Sequence, residues 1–315
     1  MGDVLMNFPA LRLLRQTFPK AWIAMMADAG VQDLLKNNAD IDELMVVDAP
    51  RIKTDLRYRM GLTRKLKRAR FGLAVVSNAD KHLHTMVFLA GIPERVGYDR
   101  KRGFLLTKKL KDLKGSGGRH EIDWNLDLIK LVSDRQWDGE HGLRPEPRAS
   151  QDMEARIDRE IGTRSPIVAV HTGTSNPRKR WPVEKFAELC ARLSAQTGAV
   201  PVLIGGEEER PFAQAILAAH PSCAVDWTGS FTLRQLVAFL NSPRVKVLVS
   251  SDSGPVHVAW MSGVPVIALY AQDVPGSDPV RWGPRNPSSR ILHKPIKDIS
   301  VDDVYRLLGS AEGIR

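Results

Sequence analysis

The amino-acid sequence predicts an α/β protein made of two doubly wound domains, in which parallel strands are covered by helices. Short apolar runs alternate with segments of helical periodicity along the whole chain, a pattern typical of parallel sheets. The length of 315 residues exceeds what one hydrophobic core usually organises. A polar, proline-containing stretch at 142–150 interrupts the alternation, and we assign it as the linker between two domains. We therefore expect an N-terminal domain over 1–150 and a C-terminal domain over 151–315, facing each other across a cleft.

The first domain begins with a helix that Pro9 and the apolar spacing through Phe18 predict. Asp3 is therefore expected on the loop that enters this helix. Apolar strands and amphipathic helices then alternate. The expected strands are 22–26, 44–47, 73–76 and 95–98, and the expected helices are 31–35, 54–67, 82–89 and 121–132.

The second domain repeats the alternation after a helix at 151–161. Strands are expected at 167–170, 202–204, 245–249 and 265–270, with a last one near 291. Helices are expected at 182–193, 232–240 and 301–308. Another helix opens at 205–209 and runs to about 218, and a further one begins near 255. We expect the last helix to pack back on the N-terminal domain.

The stretch 250–257 follows a buried strand and has the composition of an anion site. Asp252 and Ser253 can cap the helix that follows, whose first backbone N–H groups would then point at a bound anion. Gly254 allows a ligand to approach the backbone closely, and His257 lies in the first helical turn. A diphosphate suits such a site, because open α/β sheets bind nucleotides at strand ends. The alternative is a plain capped helix with a histidine in the core.

Positive charge is concentrated in the first half of the chain. The formal net charge is +10, of which residues 1–150 contribute +8 and the remainder +2. The segment 51–70 holds nine basic residues and one acidic residue, Asp55, and the segment 100–119 holds eight against Asp112. Such clusters indicate an anionic partner: a phosphorylated glycolipid, a membrane surface or nucleic acid. The alternative is a solvated helix face.

Several other classes are disfavoured. No run of about 18 apolar residues predicts a membrane-spanning helix, and no secretory signal is visible, so we expect a cytoplasmic protein. Cys190 and Cys223 lack paired spacing, which argues against a disulfide framework and a zinc site. The basic segments contain neither interleaved aromatic residues nor a helix-turn-helix pattern, so no nucleic-acid partner is expected.

Four short motifs occur in order along the chain. They are Gly2-Asp3-Val4-Leu5 before Pro9-Ala10-Leu11, Lys179-Arg180-Trp181-Pro182, Gly205-Gly206-x-x-Glu209, and Asp252-Ser253-Gly254-Pro255-Val256-His257. Their order and spacing resemble those of glycosyltransferase family 9, the heptosyltransferases that extend the inner core of lipopolysaccharide. The resemblance implies the GT-B architecture, an ADP-heptose donor and a lipopolysaccharide-core acceptor. It also implies inversion at the anomeric carbon, no cofactor and no required metal.

The same resemblance implies roles for individual residues on the catalytic and phosphate side. Asp3 corresponds to the general base that takes the proton of the acceptor hydroxyl. Lys179 corresponds to the lysine that neutralises the donor phosphates as ADP departs. The diphosphate site is completed by four residues beside the positive end of their helix: Asp252, Ser253, Gly254 and His257.

Further roles are implied for the nucleoside and the acceptor. Thr174 lies where the family places a hydroxyl near the phosphates, and Glu209 resembles the acid that contacts the ribose, with Glu207 as a competing choice. Phe231 resembles a position lining the adenine pocket, although an aromatic residue there is more often part of a core. A peripheral contact with the inner membrane is also expected. The residues that fall where relatives bind the acidic acceptor are Arg57, Arg59, Arg64 and Lys65.

The sequence departs from the family at its start, because the apolar strand that usually precedes the Gly-Asp motif is absent. A doubly wound domain without it lacks a central strand and leaves neighbouring edges unpaired. Either the natural start lies upstream, or the N-terminal domain tolerates the gap. In the first case we expect Asp3 to be held loosely and transfer activity to be weak or absent, even where nucleotide binding survives. Three alternatives stay open: a GT-B enzyme with a different nucleotide-sugar donor, a less favoured nucleic-acid-binding protein that would use the basic first half, and a sugar-nucleotide-binding protein without activity.

Overall fold

The computed structural model describes residues 1–141 and 143–309, which form two compact units. The first unit is Asp3–Gly142, and the second comprises Met1–Gly2 and Leu143–Arg315. Each has parallel strands and helices of its own. Gly142, where we placed the start of the linker, and residues 310–315, at the end of the predicted C-terminal domain, lie outside the described residues.

Helices and strands alternate in the first unit, as expected. Its strands are β1 (Ala24–Asp28), β2 (Glu43–Val47), β3 (Leu73–Val76), β4 (Glu94–Tyr98) and β5 (Lys108–Leu110). Its helices are α1 (Gly2–Leu5), α2 (Phe8–Thr17), α3 (Gln32–Leu35), α4 (Ala49–Thr54), α5 (Leu56–Ala69), α6 (Lys81–Leu89) and α7 (Glu121–Lys130). The first residue of α1, Gly2, is counted with the second unit. β5 was not predicted, because a strand of three residues, two of them lysines, contains no run of apolar residues.

The parallel sheet of the first unit is in two parts. β1 pairs with β2, whereas β3, β4 and β5 form a separate three-stranded sheet. Residues of both parts nevertheless share one core, in which Met26 of β1 and Ala74 of β3 pack with Met45, Val47 and Val76. No strand of the described residues joins β1 to β3 by hydrogen bonds. β1 and β3 therefore each leave one edge unpaired within the described residues.

Helix α5 carries the basic segment on its outer face. Asp55 caps its start by accepting from the N–H of Tyr58 at 2.9 Å, and the chain leaves it through Arg70 in a left-handed conformation (φ 54°). Leu66 is buried, and Tyr58 and Leu62 pack against the same core. The charged side chains are therefore left on the side of α5 that faces away from this core.

The second unit contains the remaining strands and helices. Its strands are β6 (Ile167–His171), β7 (Val200–Ile204), β8 (Val225–Asp226), β9 (Val245–Ser251), β10 (Val266–Ala271) and β11 (Arg290–Lys294). Its helices are α8 (Pro147–Glu160), α9 (Val183–Gln196), α10 (Arg210–Ala219), α11 (Leu233–Leu240), α12 (Gly254–Met261), α13 (Pro279–Trp282) and α14 (Val301–Leu308).

These six strands form one parallel sheet in the order β11-β10-β9-β6-β7-β8. β6, the first strand of this unit, therefore has β7 on one side and β9 on the other, so the strand order reverses between β6 and β9. β6 and β10 are buried along their full length, and β9 nearly so. In open α/β sheets, ligands bind at the carboxyl ends of the strands where the order reverses.

The hydrophobic core of the second unit reaches from this sheet to the last helix. Trp181 is fully buried, and its indole N–H donates to the carbonyl of Ile299 at 2.9 Å. Val301, Val304 and Leu308 of α14 belong to the same core. The buried face of α14 therefore lies in the core of the second unit, and the expected packing of this helix on the N-terminal domain stays a prediction.

Two local predictions are wrong. Asp3 lies within the short helix α1 and not on a loop. Residues 147–150, assigned to the linker, form the first turn of α8, which Pro147 begins because proline suits the first helical position.

The two-part sheet of the first unit generates a prediction about stability. An apolar strand of about five residues added before Gly2 should pair between β1 and β3, raise the melting temperature and increase turnover. Each kcal/mol gained corresponds to roughly 2–4 °C in a domain of this size class. Differential scanning calorimetry on this variant and on one carrying a Gly-Ser extension of equal length measures the effect. Equal melting temperatures and turnover for both would show that β1 and β3 do not accept a strand.

Candidate functional site

The candidate site lies at the carboxyl ends of β6 and β9, where the strand order reverses. His171, the last residue of β6, is directly opposite Ser250 near the end of β9. The chain then turns through Asp252 and Ser253 into α12, whose first residues are Gly254 and Pro255. The first N–H groups of a helix lack intrahelical partners and carry partial positive charge. The arrangement is therefore suited to an anionic ligand.

Lys179, Thr174 and Asp252 come together beside this helix start. The ammonium of Lys179 lies 2.7 Å from Oδ2 of Asp252 and 3.2 Å from the carbonyl oxygen of Gly276. Both charged side chains are largely shielded from solvent, with exposed fractions of 15% and 10%. The hydroxyl of Thr174 donates to the carbonyl of Asp252 at 3.0 Å. Three predicted site residues, two of them from different motifs, thus share one cluster.

A buried hydrogen-bond network lies beneath this cluster. Nδ1 of His171 is 3.1 Å from Oγ of Ser250 and 3.2 Å from Oγ of Ser253, and the two hydroxyl oxygens are 2.9 Å apart. Burial, with a smaller contribution from the charge of Arg180, lowers the pKa of His171 to about 4. The imidazole is therefore neutral at neutral pH. Ser253 does not cap α12 with its side chain, contrary to the prediction, because its hydroxyl belongs to this network.

Sequence reasoning missed His171, and it included Ser250 in the stretch 250–257 without giving it a role of its own. The available signal was a polar residue at the end of an otherwise apolar run, since Ile167 to Val170 precedes His171. Polar side chains at the carboxyl ends of parallel strands are the ones that reach a ligand.

Glu209 and Glu207, the two candidates for the ribose contact, have different surroundings. Oε2 of Glu209 accepts from the N–H of Gly206 at 2.7 Å, and its side chain passes so close to Gly173 and Gly205 that a side chain at either would collide with it. Glu207 forms two bonds of 2.8 Å with Arg210, which lower the pKa of that carboxyl. Only Glu209 is thus held against the loop that follows β6.

Phe231 lies in an aromatic cluster. Its ring is 5.7 Å from that of Trp227 and 5.3 Å from that of Phe239, both of which are buried. Gly229, two residues earlier, donates to the carbonyl of Gly205 at 2.9 Å, which brings this loop beside the one after β7. The structure does not bring Phe231 into contact with Lys179 or Asp252, so its role at the adenine stays a prediction.

The start of the chain lies against α12. The side chain of Met1 contacts Gly254, and Gly2 lies so close to the ring of His257 that an added Cβ would be 3.0 Å from its Cδ2 atom. His257 is buried, with its ring centroid 6.3 Å from that of Trp282. Asp3, the next residue, is exposed, and its carboxylate has no hydrogen-bond or ion-pair partner in the part of the chain that the structure describes.

The four basic residues predicted to bind the acceptor divide into two pairs on α5. Arg59 donates to the carbonyls of Ile52 at 2.8 Å and Lys53 at 3.1 Å, where it caps the end of α4. Lys65 pairs with Glu43 at 3.3 Å. Arg57 and Arg64 are exposed and form no ion pair within residues 1–141 and 143–309. These two guanidinium groups are available for an anionic ligand.

The fold and this site describe an α/β protein with a site suited to an anionic ligand at the switch point of its second sheet. The family model of glycosyltransferase family 9 (heptosyltransferase) matches residues 59–302. The chain belongs to this family, and it is a glycosyltransferase. The resemblance drawn from the motifs and the expected GT-B fold class are thereby confirmed.

Known relatives cover almost the whole chain. Lipopolysaccharide heptosyltransferase 2 of Salmonella typhimurium is 26% identical in an alignment of 293 positions that covers 89% of this chain and 82% of the relative. The structure of a family 9 glycosyltransferase from Veillonella parvula matches with a TM-score of 0.83 and 23% identity over 98% and 94% of the two chains. That of Escherichia coli ADP-heptose lipopolysaccharide heptosyltransferase II matches with a TM-score of 0.81 and 22% identity over 98% and 95%.

Two further structures are informative about ligands. The E. coli heptosyltransferase WaaC, solved with ADP-2-deoxy-2-fluoro heptose, matches with a TM-score of 0.76, 17% identity and coverage of 98% and 96%. The more distant TibC of enterotoxigenic E. coli, described as an iron-containing dodecamer, has a TM-score of 0.51, 16% identity and coverage of 98% and 72%. Within the described residues of the present chain, no group of three His, Cys, Asp or Glu side chains is arranged to hold a metal. No described helix combines the length and apolar character needed to span a membrane.

The close passage of Glu209 past Gly173 generates a prediction. Gly173→Ala should lower the melting temperature, because its Cβ would strike the Glu209 carboxylate and force it to move. Moving the carboxylate breaks the hydrogen bond that it accepts from the N–H of Gly206, and a hydrogen bond to a charged group is worth about 1.5–3 kcal/mol. Gly198→Ala is the matched control in the same unit, since a Cβ there meets no atom within 4 Å. Equal melting temperatures for the two variants would show that Glu209 is not held against this loop.

Proposed function

We propose that this enzyme transfers heptose from ADP-heptose to the inner core of lipopolysaccharide, with inversion at the anomeric carbon and without a metal. Family membership and the names of the relatives support the heptose donor and the lipopolysaccharide acceptor. The observation that carries the donor side is the cluster of Lys179, Thr174 and Asp252 at the amino end of α12.

In this proposal the donor diphosphate binds beside Lys179 and the first N–H groups of α12. Negative charge accumulates on ADP as it leaves, so a fixed ammonium and a helix amino end stabilise the transition state more than the ground state. Asp252 holds Lys179 in position before the donor arrives. The incoming phosphates then share this ammonium with Asp252. Ser253, Gly254 and His257 complete the site.

The nucleoside half of ADP is assigned to the loops after β7 and β8. Glu209 accepts hydrogen bonds from the ribose hydroxyls, and Phe231 lines the adenine pocket. Glu207 is the weaker choice for the ribose, because Arg210 already occupies both of its carboxylate oxygens.

On the acceptor side, Asp3 removes the proton of the attacking sugar hydroxyl as that oxygen bonds to the anomeric carbon and ADP departs. Arg57 and Arg64 are the first choices for the acceptor phosphates, because Arg59 and Lys65 already have partners within the first unit. The same side of α5 exposes Leu56 and Met60, with exposed fractions of 61% and 43%. Exposed apolar groups beside free cations suit peripheral contact with the anionic inner face of the inner membrane, where a cytoplasmic enzyme would meet its acceptor.

A nucleotide panel tests the donor site. Wild type should gain thermal stability with ADP in preference to UDP, GDP and dTDP, equally with and without EDTA. A ligand at about 100 times its dissociation constant adds roughly 2.7 kcal/mol. Lys179→Ala should weaken ADP binding about tenfold or more and slow transfer, because a hydrogen bond to a charged group is worth about 1.5–3 kcal/mol. Arg178→Ala, at an exposed neighbouring position, is the control.

The other outcomes of the nucleotide panel would each change one part of the proposed function. Preference for another nucleotide would replace the donor and keep the fold. Loss of the ADP shift in EDTA would overturn metal independence. ADP binding without any transfer would favour a binding protein, and unchanged ADP affinity in Lys179→Ala would remove this lysine from the site.

Asp3 generates a separate prediction. Asp3→Asn should lose most turnover while ADP affinity stays unchanged, because the carboxylate acts on the acceptor. Transfer rates on heptose-deficient lipopolysaccharide and calorimetric titration with ADP measure the two quantities. Asp152→Asn, at an exposed position on α8, is the control. Equal loss of turnover and ADP affinity in Asp3→Asn would indicate a structural role for this residue.

A further inference from the structure

In the network of His171, Ser250 and Ser253, the number of available protons determines which atoms donate hydrogen bonds and which accept them. The hydroxyl of Ser250 donates to the main-chain carbonyl of Ser251 at 2.7 Å, and a carbonyl oxygen can only accept. The single hydroxyl proton of Ser250 is therefore committed. In its contacts with His171 and Ser253, the Ser250 oxygen can act only as an acceptor.

This commitment assigns the tautomer of His171. Nδ1 lies 3.1 Å from Oγ of Ser250, and a bare Nδ1 would place two acceptors against each other in a buried site. A neutral imidazole carries one proton, so that proton is on Nδ1. The same Nδ1–H also lies 3.2 Å from Oγ of Ser253, close enough for that oxygen to accept from it.

Ser253 then has its own proton left to give. In the structure its oxygen is 2.9 Å from that of Ser250, which accepts the proton in the absence of a better partner. Ser253 directly precedes α12 and does not cap it, so its hydroxyl can turn toward a ligand without breaking a cap. An anionic oxygen at the helix start is a stronger acceptor than the Ser250 hydroxyl.

We infer that His171 is a positioning residue of the donor site: its Nδ1–H holds the Ser253 oxygen as an acceptor, so that Ser253 donates its proton outward to a diphosphate oxygen. The inference rests on the proposed diphosphate site. In the opposite tautomer Nδ1 carries no proton and would accept the proton of the Ser253 hydroxyl. The Ser253 oxygen would then face the ligand with a lone pair only. His171 thus sets the direction of a hydrogen bond that it does not itself make to the ligand.

A double-mutant cycle on ADP affinity tests the inference. Ser253→Ala should weaken ADP binding about tenfold. His171→Phe should weaken it by a similar factor, and the double variant should be no worse than Ser253→Ala alone, because both remove the same hydrogen bond. His171→Asn keeps an N–H near the position of Nδ1 and should retain most of the affinity. Adenosine, which lacks the diphosphate, should bind all variants equally.

A spectroscopic measurement decides the tautomer in the unliganded protein. The ¹⁵N spectrum of wild type should show the His171 signal, assigned by its loss in His171→Asn, with a protonated Nδ1 and a bare Nε2. A protonated Nε2, full additivity in the cycle, or equal losses in His171→Asn and His171→Phe would overturn the inference alone. Failure of wild type to bind ADP would overturn the proposed function and with it this role for His171.

Discussion

The pairing of β6 with β9 is the constraint on which the site depends. These strands lie side by side only because the chain crosses back over β6 after β8, and that crossover reverses the strand order. The reversal opens the space above the two strand ends, and the register places His171 opposite Ser250. The ion pair of Lys179 and Asp252 and the network of His171 both follow from this adjacency.

The second unit could largely be predicted from local sequence patterns, because a fully buried parallel strand is apolar along its whole length. The segments 245–249 and 265–270 lie within β9 and β10 apart from Pro265, which precedes β10. The network of His171 could not be predicted in this way, because it joins residues 79 positions apart through a strand order that periodicity does not encode. The choice between Glu207 and Glu209 also needed coordinates, since spacing alone left both open and the pairing with Arg210 separates them.

The first unit is a contrasting case. Its amphipathic helices were predictable, but β5 was not, because two of its three residues are lysines. The basic segment 51–70 was visible in the sequence as charge alone. Only the structure separates the cations that hold the unit together, such as Arg59 on the end of α4, from Arg57 and Arg64, which face solvent. Charge counting cannot make this distinction, because it carries no information on which carbonyl or carboxylate lies within reach.

The two hydrogen bonds of Trp181 bear on the order in which the enzyme is completed during synthesis. Its backbone N–H donates to Ser251 at the end of β9, and its indole donates to Ile299, 118 residues further along the chain. Trp181 follows Lys179 by two positions. The loop that carries this lysine can therefore form its hydrogen bond to the carbonyl of Ile299 only when residue 299 has left the ribosome. A nascent chain that ends before this point contains all six strands of the second unit's sheet but lacks one of the two hydrogen-bond partners of Trp181, so the loop that carries Lys179 is among the last parts of this unit to be fixed during synthesis.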